Sequence, residues 1–337
     1  MVATHELRRP AVVAVQTLVI AACYYGAGRL GLLRRLSVEG AVFTPIWPPT
    51  GVAVAALLLL GIGAWLGIAI GALLVVLSLS SFSSFQPSAI GIVAGNTIAP
   101  ICAYLLLRGV RFRTDLSRLR DGLALVFLAA LGSMMISATV DVGLLVLTDK
   151  LALEGFWAVW LAWWVGDAMG VLIITPVLLM LYAVRPPLRL TRWKEAALLT
   201  AAVCVLVPLA TRDSISLLFL VYPLLIWAAL RFELPGSLAC ALFASVMATV
   251  AATDQVGSFD GLSHTEIMIK LQAFNGTMAL TALLLSAVIT EQRNTRRSVE
   301  LACQELVQVL EHLTAGNPTP RPPPMPRPPP ADDDGLG

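Results

Sequence analysis

Residues 160–176 read WLAWWVGDAMGVLIITP, an apolar run that continues on both sides and carries a single carboxylate, Asp167. Extended over 157–182, the run is long enough to cross a bilayer as a helix, since a hydrocarbon core of ~30 Å takes roughly 20 helical residues. Comparable runs occupy 11–32, 49–60, 64–80, 88–107, 122–147, 195–210, 214–230, 236–252 and 267–290. The chain has 337 residues, of which 58% are hydrophobic and 13% charged, and its mean hydropathy is +0.82. A water-soluble domain of this composition would aggregate. The fold class is therefore all-α: a polytopic integral membrane helical bundle of about ten transmembrane or half-membrane helices, with the lipid bilayer as its first partner.

The net charge of +2 matters less than where the basic residues fall. With a cytoplasmic N-terminus, one side holds Arg8, Arg9, Arg108, Arg111, Arg113, Arg118, Arg120, Arg185, Arg189, Arg192, Lys194, Arg231, Arg293, Arg296 and Arg297. The other holds Arg34, Arg35, Lys150 and Arg212. The positive-inside bias puts both termini in the cytoplasm, as expected for a multi-pass protein of the cell inner (plasma) membrane. Arg8, Arg9 and Ile20-Ala-Ala-Cys23 imitate a cleaved lipoprotein signal, but the apolar character runs on to Leu33, which suits a retained span. Five cysteines without framework spacing argue against disulfides.

Trp47-Pro-Pro-Thr-Gly51 precedes an apolar stretch of only about ten residues, too short to span. Proline is tolerated in the first helical turn, so a helix N-terminus lies in or near the membrane. Either a deeply inset half-helix or one arm of a helical hairpin with the next span fits. Gly63, Gly67 and Gly71, then Gly91 and Gly95, then Gly166 and Gly170 recur every four residues. Such spacing lets backbones approach, and it predicts that these three helices form the tight centre of the bundle.

Asp167 lies ten residues into its span, near the membrane midplane by helical rise. An ionised group there costs at least ~2.5–3.5 kcal/mol, so it faces the interior, either touching a ligand or proton signal or bonding helices together. Trp160, Trp163 and Trp164 precede it at i−7, i−4 and i−3 and share its side of the helix. Asn96, Gln272 and Asn275 are further buried amides. Asp141 is six residues from its span's outer end and reads as close to water, and Lys270 is either a snorkelling cation or a counter-ion for Asp167. No P-loop, HExxH, nucleophile elbow or Cys/His metal spacing is present. The expectation is a non-enzyme with no catalytic residues, metal, cofactor or nucleic-acid partner.

Past residue 290 the chain turns polar. Val299, Cys303, Leu306, Leu310 and Leu313 are spaced 4, 3, 4, 3, an a/d seam on a helix that continues from the last span; a short amphipathic helix on the membrane surface also fits. The organisation is 1–290, a membrane domain; 291–316, an amphipathic or coiled-coil signalling helix offering a homodimer contact; and 317–337, a disordered Pro-rich tail.

Four elements recur in a known order: Ile46-Trp-Pro-Pro-Thr-Gly51, Ala94-Gly-Asn-Thr97, a basic loop after the fourth span, and Trp160-x-x-Trp-Trp-x-Gly-Asp-x-x-Gly-Val-Leu172. Over residues 11 to about 290 the chain resembles the bacterial membrane-associated sensor domain of the first MASE type. The resemblance implies a sensory input module like those of two-component systems, here as a stand-alone protein without an output domain, serving a separate kinase or cyclase. It carries Trp47, Pro48, Pro49, Gly51, Asn96, Trp163, Trp164, Gly166, Asp167 and Gly170, with Trp160 beside them, as ligand-binding or switch residues for an unknown small molecule. A transporter or solute-capture component is the alternative, because broken helices and buried polar groups serve transport too.

Overall fold

The computed structural model describes residues 3–38, 41–79, 88–183, 192–213 and 217–315. The helices are α1 (Ala3–Gly31), α2 (Pro48–Leu60), α3 (Trp65–Leu79), α4 (Ser88–Gly109), α5 (Leu119–Ala124), α6 (Met134–Leu147), α7 (Phe156–Met169), α8 (Thr175–Ala183), α9 (Trp193–Arg212), α10 (Val221–Thr253) and α11 (His264–Ala315). Two π-helical segments, Leu125–Ser133 and Gly170–Ile174, join α5 to α6 and α7 to α8. The helical bundle has one small β addition, the antiparallel three-residue strands β1 (Leu36–Val38) and β2 (Ala41–Phe43). Among the described residues, eight helical stretches are long and apolar enough to cross a membrane, and Pro48–Leu60 is a shorter apolar helix. The chain divides into two compact units, Met1–Glu291 and Gln292–Gly337. The Pro-rich tail at 317–337 lies outside the described residues.

The runs expected at 214–230 and 236–252 meet inside α10, where Glu233 leaves helical geometry at φ 56 and ψ −142. Pro235 has no N–H for the Arg231 carbonyl, which weakens the ladder at the break. The neighbours on α11 show that the chain folds back there. Tyr222 stands against Phe274 and Thr277, Ser237 against Ser286, and Ser258 is again beside Lys270. A straight helix of this length would never return, so α10 is two antiparallel arms. At one end of the bundle Arg34 pairs with Asp254; at the other Arg231 pairs with Glu195 and Glu291 accepts from the Leu119 amide.

The second run is a short helix that is not a packed hairpin arm, since α3 lies mainly against α1 and α4. The first turn of α2 is held inside the bundle, and after Leu60 the chain turns at Gly61, φ 80, through the 3-10 turn Ile62–Ala64 into α3. The expected common centre of glycine-bearing helices does not form. A Cβ on Gly67 or Gly71 would strike α1 at Ile20 or Tyr24, one on Gly95 would strike Val140 and Asp141 of α6, and one on Gly166 would lie 2.7 Å from the Thr44 carbonyl. Gly63 faces open space. Each small-residue stripe has its own partner, because a four-residue repeat marks a close approach but not what approaches.

Candidate functional site

The two signature motifs form one joint. Trp47 N–H donates to the Gly166 carbonyl at 3.0 Å, and Thr50 Oγ1 donates to the Asp167 carbonyl at 3.1 Å. Thr175 Oγ1 in turn donates to the Gly51 carbonyl at 3.1 Å. Backbones this close exclude a side chain, and a Cβ on Gly51, Gly166 or Gly170 would run into main-chain oxygen across the joint. Pro48 and Pro49 open α2 without N–H groups that would need partners. Pro176 lacks the N–H that would bond the Leu172 carbonyl, so the helix widens at Gly170–Ile174 where α2 packs on it.

Beside this joint lies a cavity of about 350 Å³. Its mouth is lined by Leu32, Leu79, Ser88 and Lys150, its walls by Ala72, Val75, Val76, Ala89 and Ile92, and its floor by Tyr24, Thr44, Trp47, Asn96, Trp163, Gly166 and Asp167. From Gly31 to Tyr24 and from Ser88 to Asn96 is seven or eight residues, so the floor is about 10–12 Å below the mouth. No α2 residue lines it. The joint fills the space between the α2 N-terminus and α7, and the open space is on the side of α1, α3 and α4.

Asp167 is 1% exposed; its Oδ2 accepts from Ser137 Oγ, while its Oδ1 has no partner among the described residues. Asp141, read from sequence as near water, is 0% exposed. The reason is the close packing of α4 on α6, where Gly95 lies against the Asp141 side chain and Asn96 bonds it. Asp141 Oδ2 accepts from Asn96 Nδ2 at 2.6 Å, and the Trp163 side chain also acts on this carboxyl. The two carboxyls and the Tyr24 hydroxyl are within electrostatic reach of one another. Pro100 gives the Asn96 carbonyl no N–H, so α4 is weakened one turn past the site.

Of the expected residues, the cavity gathers Trp47, Asn96, Trp163, Gly166 and Asp167, while Pro48, Pro49, Gly51 and Gly170 build the joint behind them. Trp160 and Trp164 are placed differently. They stack on each other at 5.5 Å and donate to Thr139 Oγ1 and the Leu131 carbonyl. The tryptophan face spans about 100° of helix, wide enough for Trp163 to meet the cavity while the others bind the helix of Leu125–Leu147. Lys270 is not a counter-ion for Asp167: its Nζ donates to the Ser258 carbonyl at 2.6 Å and lies over the Phe259 ring. Sequence reading missed Tyr24, Thr44, Ser137 and Asp141. The paired tyrosines Tyr24 and Tyr25 inside an apolar run were the available signal for the first.

Gln272 of α11 donates from Nε2 to the Pro45 carbonyl at 3.0 Å. Its Oε1, and both amide atoms of the fully buried Asn275, have no partner among the described residues. No cluster of His, Cys, Asp or Glu among the described residues has the grouping of a metal site.

A family model described as MASE1 matches residues 16–293. No curated protein and no solved structure matches the chain. The match covers the joint, the cavity and every helix of the bundle, and the chain belongs to the MASE1 family of membrane-associated sensor domains.

Proposed function

We propose that this membrane sensory input domain reads the occupancy of the cavity over Asp167 and passes it to α11 through the segment 44–47. The observation that carries the reading is the Gln272 bond to Pro45, because Thr44 and Trp47 on either side of that bond line the cavity. A ligand that displaces Thr44 or Trp47 must strain or release that bond, and Gln272 belongs to the helix whose residues 292–312 form part of the second unit. Only a ligand or protonation event that favours one of two arrangements can shift their populations. With the loops oriented by their basic residues, the mouth faces outside and residues 291–316 face a separate cytoplasmic kinase or cyclase.

The bundle acts without catalysis. Each carboxyl is held by a neutral donor from another helix, Asn96 or Ser137, and no hydrogen bond joins Asp141 to Asp167. Val299, Cys303, Leu306 and Leu310 are exposed along one heptad seam of a single chain, and a second copy of that seam is its natural cover. Hydrogen exchange on the full chain in lipid nanodiscs tests the reading. Asp167→Asn should alter exchange at residues 292–312 several-fold; unchanged exchange there, in a folded variant, overturns it.

A further inference from the structure

We infer that the cavity takes a small organic cation, a protonated amine on an apolar body, an inference that rests on the sensory reading above. One buried carboxylate oxygen of the cavity wall, Asp167 Oδ1, has no partner among the described residues, and neither Asp167 nor the neighbouring Asp141 pairs with a Lys, Arg or His among them. Asp167 lines the cavity while 1% exposed, and its unpaired oxygen is buried in the wall of that cavity. An unmatched buried carboxylate asks for a donor with positive charge, and an ammonium brings three N–H donors.

The remaining surface fits the rest of such a molecule. Tyr24, Trp47 and Trp163 line the floor, and aromatic faces attract cations. Ala72, Val75, Val76 and Ile92 supply an apolar wall. Among the described residues that line the cavity the single base, Lys150, is at the mouth, about 10 Å above the floor, where repulsion of a cation is weakest. At ~30 Å³ per water, 350 Å³ holds roughly ten waters, the bulk of an amine of similar heavy-atom count.

Titrating the full chain in nanodiscs with 2-phenylethylammonium, against its neutral and anionic counterparts 2-phenylethanol and 3-phenylpropanoate, tests this. Tryptophan emission and melting temperature are the readouts. The amine should give a saturable change that neither counterpart reproduces, weakened roughly tenfold or more by Asp167→Asn. Val76→Trp, which fills the wall, should abolish the change and so covers the case in which the acid variant does not fold. No saturable amine binding, equal binding in both variants, equal binding of the alcohol, or an identical change on acidification without amine would each overturn the inference. Val76-dependent binding of the alcohol or the anion would do so while leaving the cavity as the sensory site, whose own failure is read by hydrogen exchange.

Discussion

At the scale of single residues, the site balances two buried acids with neutral donors. Ser137→Ala removes the Ser137 hydrogen bond to Asp167 Oδ2, the only one to that oxygen among the described residues, which should cost about 1–3 kcal/mol, measured as lowered thermal stability in detergent. Asn96→Leu should cost at least as much, because Asp141 would lose its 2.6 Å donor in a fully buried place. Thr139→Val, by contrast, removes an exposed hydroxyl that accepts from Trp160 and donates to the Met135 carbonyl, and should leave stability nearly unchanged. Asp167 was legible in the sequence because an acid in a long apolar run has few explanations. Asp141 was equally visible but misread. Distance from a helix end does not say what packs against the residue's own face, and α4 covers this one at Gly95 and Asn96. Lys270 failed similarly, since its partner is a carbonyl that no sequence pattern announces.

At the scale of elements, helix count and the short second helix followed from run lengths and from Trp47-Pro-Pro-Thr-Gly51. What those glycines press against did not. Gly51, Gly166 and Gly170 bring two backbones together across more than a hundred residues of chain, and their partners are main-chain oxygens, which are invisible in side-chain patterns. Gly166→Leu should therefore destabilise the bundle by about 1–3 kcal/mol or more, whereas Gly63→Leu, facing open space, should be tolerated; melting of the two variants side by side makes the comparison. The fold-back at Glu233 was anticipated as two separate runs, and only the neighbours on α11 reveal that their arms are antiparallel.

At the scale of the whole molecule, residues 16–293 form the sensor domain, and the charged stretch beginning near residue 291 marks where the bundle ends. If two copies pair along the 299–313 seam, Cys303 sits at a core position, and mild oxidation of membranes should give a disulfide-linked dimer that Cys303→Ser abolishes. A ladder equally strong in that variant would place the contact elsewhere. On the proposed reading the cavity acts on α11 through the Gln272 bond to Pro45, and Gln272→Ala, which leaves that carbonyl unpaired, should cost about 1–3 kcal/mol of stability as well as uncoupling the two. The most direct measurement is a double-mutant cycle of hydrogen exchange at residues 292–312 in the wild type, Asp167→Asn, Gln272→Ala and the double variant. The account predicts that Asp167→Asn alone changes exchange in this segment and that the change vanishes when Gln272 is already alanine; an equal change in both backgrounds would contradict it.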